Sequence, residues 1–339
     1  MSSISPYFKR IPRQNDYSVE EYLAGIKKGD ITILSQAVTL IESANHEHRV
    51  LAQEIVEKCL PLAGHSVRVG ITGVPGAGKS TTIDTLGMHL IRQGHKIAVL
   101  AIDPSSERTK GSILGDKTRM ESLSREKNAF IRPSATTGTL GGVARNTRET
   151  IILCEAAGFD IVFVETVGVG QSETAVHSMV DFFLYIQLAG TGDELQGIKR
   201  GIMEMAGGIV INKADGDNLE KARIAATFFR NALQLFPLPE SGWRPEVLTY
   251  SGYYATGIQE VWDMINDYLV FTKSNGYFER KRNDQAGYWL YESLNHLLHD
   301  TFYHHPEVKA LLPVLERKVL NNEINSFTAA QQLIDIFTP

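Results

Sequence analysis

Gly73-Val74-Pro75-Gly76-Ala77-Gly78-Lys79-Ser80 fills every fixed position of the pattern G-x-x-x-x-G-K-[ST]. This octet restricts the fold more than any other stretch, because its chemistry works only between a strand and a helix. Both flanks are present. The β-branched run Val67–Thr72 leads in, and a helical pattern from Lys79 to about Gln93 leads out. The glycines let backbone N–H groups approach a polyphosphate, and the start of the following helix adds partial positive charge. Gly73, Val74, Pro75, Gly76, Ala77, Gly78, Lys79, Ser80 and Thr81 are therefore expected to bind a nucleotide. Lys79 would reach the β and γ phosphates, and the Ser80 hydroxyl would ligate Mg²⁺. A glycine-rich turn that binds nothing would need neither flank.

The same alternation continues downstream. Further apolar runs lie at Ile97–Ile102, Ile161–Val164, Phe182–Leu188, Gly208–Ile211 and Val247–Leu248, with helical patterns between them. This spacing predicts an α/β fold, a P-loop NTPase whose mostly parallel sheet is flanked by helices. Ahead of it, residues 1–17 are polar and carry Pro6 and Pro12. Ser18-Val19-Glu20-Glu21 is a capping-box pattern. It opens the first of three helical segments, at about 18–28, 31–44 and 47–62. After Lys273 the strand pattern stops, and helices are predicted at 277–304, 306–320 and 326–337. The expected divisions are an N-terminal helical extension (1–64), the nucleotide-binding domain (65–272) and a C-terminal helical arm (273–339). The arm has too little apolar surface for a domain of its own and is expected to pack on the body, on a second copy, or both.

Composition matters here for what it excludes. The chain has 339 residues, 43% hydrophobic and 22% charged, with a formal net charge of -5 and its basic residues scattered. That argues against a nucleic-acid surface. The run Arg280-Lys281-Arg282, next to Glu279, reads as a solvated helix face. Cys59 and Cys154 lie among helix-forming residues and read as buried structural thiols, which suits a reducing compartment. The first residues have no apolar core of signal-peptide length, and no apolar stretch is long enough for a bilayer, so a cytoplasmic protein without membrane contact is expected.

Three carboxylates are candidates for the metal. Asp103 ends the run Ile97–Ile102, at the sheet edge where ligands bind in open α/β folds. Asp116 lies in the polar, glycine-containing stretch Gly111 to Met120, which has the texture of a loop that orders on binding. Glu165 follows the apolar run Phe159–Val164 and opens Glu165-Thr166-Val167-Gly168-Val169-Gly170-Gln171, where the Gly168 N–H would face a γ-phosphate.

The run Gly208–Ile211 ends in Asn212-Lys213-Ala214-Asp215, the guanine-reading N-K-x-D pattern. An aspartate can accept both N1–H and the exocyclic N2–H₂ of guanine. Adenine lacks that pair of donors and would leave the acid desolvated and unpaired. Lys213 can lie over the base and Asn212 can brace the loop. Ser251-Gly252, after Val247–Leu248, would supply a backbone contact to the base oxygen.

These motifs, with Asp103-Pro104-Ser105-Ser106, the run Gly111–Met120, Glu165 to Glu173, and Gly190-Thr191-Gly192-Asp193-Glu194-Leu195-Gln196-Gly197-Ile198-Lys199, resemble the metallochaperone branch of the P-loop GTPases. In that branch a Glu replaces the Asp of the usual D-x-x-G. Within it the chain is similar to the methylmalonyl-CoA mutase-associated GTPase chaperones. These are bacterial proteins long labelled arginine/ornithine transport kinases, with the mitochondrial cobalamin type A protein as a relative. The resemblance covers most of the chain. It implies GTP and GDP as ligands with Mg²⁺, and a homodimer formed largely through the C-terminal arm. It also implies a B12-dependent acyl-CoA mutase as partner, with GTP gating adenosylcobalamin loading and protecting that enzyme. Carried over by motif, Asp103, Asp116 and Glu165 belong to the metal and switch set, Arg119 falls in the first switch region, and Gln196 and Lys199 fall in a third, partner-responsive switch. Lys79, Asp116, Arg119 and Glu165 are the expected catalytic residues.

Relatives in the same branch that serve nickel or cobalt enzymes often carry Cys-x-x-Cys or His-rich motifs. Here the close histidine pairs, His46/His48 and His304-His305, read as surface residues. Val169 stands where Ras-like enzymes keep a water-orienting Gln, and no arginine finger is evident, although Arg119 is a candidate. Slow intrinsic hydrolysis, faster when the partner or second subunit orders the switches, is expected. Two other readings compete. A small-molecule kinase would need an acceptor pocket and base that the sequence does not reveal. A scaffold with an inert nucleotide site would not need Lys79, Ser80 and Glu165 intact.

Overall fold

The computed structural model describes residues 17–102, 120–133, 140–166, 172–189 and 200–337. Asp103, Asp116, Arg119, Gly168, Gln196 and Lys199 lie outside the described residues.

Among the described residues, seven strands form one sheet of order β3-β2-β4-β1-β5-β6-β7. They are β1 (Val67–Gly73), β2 (Ile97–Ile102), β3 (Ala129–Pro133), β4 (Ile161–Thr166), β5 (Phe182–Leu188), β6 (Gly208–Asn212) and β7 (Glu246–Thr249). Every pairing is parallel. Parallel neighbours need crossover connections, which cover both faces with helices, so the inner strands are largely apolar, with polar residues concentrated toward their ends. β2 and β4 are buried at every position. All six runs expected from the sequence are strands. The edge strand β3 is an addition: only Phe130 and Pro133 of its five residues are buried, too weak a pattern to read, and its terminal proline suits an edge. β4 also runs past Val164 to Thr166, because Glu165 and Thr166 pair with Ala101 and Ile102 of β2.

The N-terminal helices are α1 (Val19–Lys27), α2 (Ile31–Ile41) and α3 (His46–Cys59). The capping box at Ser18 is formed: Glu21 N donates to Ser18 Oγ (3.2 Å) and Ser18 N to Glu21 Oε2 (2.7 Å). Asp30 caps α2 through Thr32 N (2.8 Å). These helices bury Tyr22, Ile26, Leu34, Val38 and Ile55, and pack on α5 (Leu140–Ala156). On the sheet, α4 (Lys79–Arg92) contributes Ile83, Leu86 and Leu90 to the main core. α9 (Ile258–Ser274) adds Val261, Trp262 and Ile265. The remaining helices of the body are α6 (Ser172–His177), α7 (Arg200–Met205) and α8 (Leu219–Gln234). Cys59 and Cys154 are buried and free, as expected, and burial pushes the Cys59 thiol up to about 11. Among the described residues no helix is long and apolar enough to cross a membrane.

The chain divides into two compact units between Asn283 and Asp284, within α10 (Tyr277–His304). The second unit adds α11 (Pro306–Leu320) and α12 (Ser326–Phe337) and closes a small cluster of Val308, Leu315, Ala329 and Leu333.

One expectation is overturned. Arg280-Lys281-Arg282 is not a solvated face, although Arg280 itself is exposed. Arg282 grips both oxygens of the buried Asp181, Nε to Oδ1 at 2.8 Å and Nη2 to Oδ2 at 2.7 Å, and also donates to the carbonyls of Gly64 and Ser66. Lys281 Nζ donates to Asp181 O (2.8 Å), and burial pushes its pKa down to about 8. Beside them Arg68 holds Glu155 through two bonds, at 2.8 and 2.9 Å. Asp181 lies 100 residues from Lys281, so the partner that draws these charges inward is invisible in the local sequence.

Candidate nucleotide site

β1 lies at the centre of the sheet between β4 and β5, and its carboxyl end delivers the glycine-rich loop, which meets Glu165 of β4 on one side and Asn212 of β6 on the other. Gly78 shows why that loop needs glycine. Its φ is +88°, and a Cβ there would stand 2.3 Å from Asn212 Nδ2. The bond from Thr82 N to Gly78 O (2.8 Å) starts α4 directly behind the loop. Lys79 is buried, with Nζ donating to Gly73 O (2.9 Å) and Val74 O (3.4 Å), so its ammonium is held across the loop rather than extended into solvent.

On the β4 side, Ser80 Oγ donates to Glu165 Oε1 (3.1 Å). Glu165 is only 7% exposed. Behind this pair Thr166 Oγ1 donates to Thr72 Oγ1 (2.8 Å), tying β4 to β1. Among the described residues no group of three or more His, Cys, Asp or Glu gathers as a metal site. One hydroxyl and one carboxylate are nonetheless a donor set that fits Mg²⁺, which takes hard oxygen ligands and fills its remaining positions with phosphate and water.

On the β6 side, Asn212 is a three-way tie. Its Nδ2 donates to Ala77 O of the phosphate loop (2.7 Å), and its Oδ1 accepts from Lys213 N (2.7 Å) and Gly252 N (3.0 Å). Lys213 takes a left-handed φ of +59°, which the Asn212 bond and a bond from Asn218 Nδ2 to Lys213 O (2.7 Å) help to hold. Asp215 Oδ2 accepts from Ser251 Oγ (2.5 Å). The structure thus brings together Gly73–Ser80, Glu165, Asn212–Asp215 and Ser251-Gly252. The Gly252 N–H, expected to face the base oxygen, is engaged by Asn212 in this structure.

Sequence reading missed Thr82, Thr85 and Tyr250. Thr82 Oγ1 lies 2.5 Å from Tyr250 Oη, and Thr85 Oγ1 donates to Gly252 O (2.7 Å). A threonine pair at i, i+3 on a helix does not announce partners more than 160 residues away.

The fold and the site together define a P-loop GTPase. The chain matches the family model described as Methylmalonyl Co-A mutase-associated GTPase MeaB over residues 34–307, and it belongs to that family. A "Probable GTPase" of Mycobacterium tuberculosis is 48% identical over 95% of this chain and 96% of its own length. The mouse protein named methylmalonic aciduria type A homolog, mitochondrial, is 44% identical over 94% of this chain and 79% of its own. A crystal structure titled LAO/AO transport system kinase superposes with a TM-score of 0.74 at 36% identity, covering 96% of this chain and 99% of that one.

Proposed function

We propose that this GTPase serves a B12-dependent acyl-CoA mutase, methylmalonyl-CoA mutase first, by gating adenosylcobalamin loading and protecting the loaded enzyme. The observation that carries this reading is the match to a mutase-associated GTPase family over residues 34–307. The intact tie between Ser80 and Glu165 supports it, because an inert scaffold would have no use for that pair.

The residues divide the work as follows. The backbone of Gly73–Thr81 cradles the phosphates, and Lys79 neutralises charge that grows on them as water attacks the γ-phosphorus. Ser80 and Glu165, with Asp103 and Asp116, would hold Mg²⁺, which would supply further neutralisation. Asp215 reads the guanine edge, with Ser251 fixing its carboxylate and Asn212 fixing both loops. The Gly168 N–H contacts the γ-phosphate, Arg119 belongs to the first switch region, and Gln196 and Lys199 form the partner-responsive switch. The chain works in the cytoplasm as a homodimer, with residues 273–339 as the dimerising arm. The row of exposed apolar side chains on α10, among them Tyr291, Leu294, Leu297 and Leu298, supports that role.

The deciding experiment combines the purified chain with methylmalonyl-CoA mutase and follows adenosylcobalamin loading under GTP, GDP and no nucleotide, beside Lys79→Ala. Loading should depend on nucleotide state in the wild type and lose that dependence in the variant. Loading indifferent to nucleotide, together with γ-phosphate transfer to an amino acid, would favour the kinase reading instead.

A further inference from the structure

The carboxyl edge of the sheet carries a connection that neither nucleotide motif contains. Tyr250 stands just past β7, is only 2% exposed, and places its hydroxyl 2.5 Å from Thr82 Oγ1, itself fully buried in the first turn of α4. The protons on this pair can be counted. Thr82 Oγ1 also lies 2.8 Å from Gly78 O, and a carbonyl can only accept. Thr82 therefore spends its one proton on the phosphate loop, and Tyr250 must donate to Thr82. The result is a chain of two hydrogen bonds from the residue preceding Ser251 to the third glycine of the phosphate loop.

Two neighbouring bonds finish the clamp. Thr85, one turn along α4, donates to Gly252 O (2.7 Å), and Asn212 accepts from Gly252 N (3.0 Å). Both backbone polar groups of Gly252 are thus engaged, and Ser251 is presented to Asp215 between two anchored residues. Beyond the clamp the loop turns outward, and Tyr253 and Tyr254 are 81% and 63% exposed. α4 and Tyr250 therefore supply much of what orients Ser251 and Gly252.

We propose that Tyr250 and Thr82 are positioning residues for guanine recognition. Their bond fixes the Ser251-Gly252 loop against the phosphate loop before nucleotide arrives, so that base and phosphates bind to one preformed frame. Preorganisation of this kind raises affinity by lowering the cost of ordering the loop on binding. The inference rests on the guanine-nucleotide reading of the site and deepens it.

The test compares Tyr250→Phe, Thr82→Val, the double variant and Thr82→Ser in the full chain. The probes are GDP, IDP (whose base lacks the 2-amino group) and tripolyphosphate, measured by calorimetry. Tyr250→Phe should weaken GDP about tenfold, the scale of one buried hydrogen bond, and narrow the GDP/IDP ratio. Tripolyphosphate binding should not change. Thr82→Ser should behave as wild type, and the double variant should bind GDP no worse than Thr82→Val alone. A Tyr250→Phe protein of lowered melting temperature with an unchanged GDP/IDP ratio would reduce the bond to a structural one and overturn the proposal. Equal losses for GDP and tripolyphosphate would also overturn it, by placing the effect on the phosphate loop. A wild-type chain with no preference for GDP over ADP would instead sink the guanine reading beneath it, a result visible before any variant is made.

Discussion

Ser80 Oγ and Glu165 Oε1 stand 3.1 Å apart across the gap between α4 and β4, joining the phosphate loop to the central strand pair. Both carry oxygens suited to Mg²⁺, and the proposed function gives both a part in hydrolysis. Ser80→Ala and Glu165→Gln should each lower GTP turnover by about 100-fold, the scale of losing one preorganised charge-stabilising group. GDP measured without Mg²⁺ should bind almost as in the wild type. Turnover that survives both substitutions would remove this pair from the reaction.

The carboxylate of Asp215, held by the Ser251 hydroxyl, has a simple specificity consequence. An amide in its place presents a donor to the donors of guanine but suits xanthine, which carries a carbonyl at that edge. Asp215→Asn should weaken GDP by about 100-fold and bring XDP binding into the measurable range. Equal loss for both nucleotides would mean that the variant disturbs the loop and not the base contact.

At the opposite edge of the sheet, Asp181 is 1% exposed and pairs with Arg282 while also accepting from Arg68 N. Asp181→Ala strands the Arg282 charge without its partner, which should cost about 3–5 kcal/mol in urea unfolding. GDP affinity should be nearly unchanged, since the described nucleotide-site residues, Gly73–Ser80, Asn212–Asp215 and Ser251-Gly252, lie at the other end of the strands. A stability loss below about 1 kcal/mol would show that water replaces the carboxylate without strain.

His177 gives a pH signature. Burial, with the Lys281 charge adding to it, pushes its pKa from 6.5 to about 3. The unfolded chain therefore takes up a proton that the folded chain refuses between these values, so stability falls as pH drops from 6.5 toward 3. His177→Gln should flatten that part of the curve while leaving the profile above pH 7 parallel to wild type. An identical acid slope in the variant would assign the effect to carboxylates.

The arm offers a direct test of assembly. Leu294 and Leu298 lie four residues apart on α10 and are both exposed. Leu294→Asp with Leu298→Asp should convert a dimer to a monomer in light scattering with melting temperature little changed. A wild-type chain that is monomeric at high concentration would dispose of the dimer proposal.

Local patterning in the chain is enough to set the α/β alternation, the phosphate loop, the guanine motif and the bounds of the C-terminal helices. These are local properties: period-2 and period-3.6 patterning, and glycines whose positions follow from backbone sterics. The partnerships of polar groups distant in sequence arise only once the sheet is assembled. Lys281 and Arg282 look solvated until Asp181 is placed beside them, and Tyr250 looks like an ordinary core aromatic until Thr82 meets its hydroxyl. The reason is physical. Burying a charge or a hydroxyl is costly without a partner, and the identity of that partner depends on which strand ends the sheet order brings together.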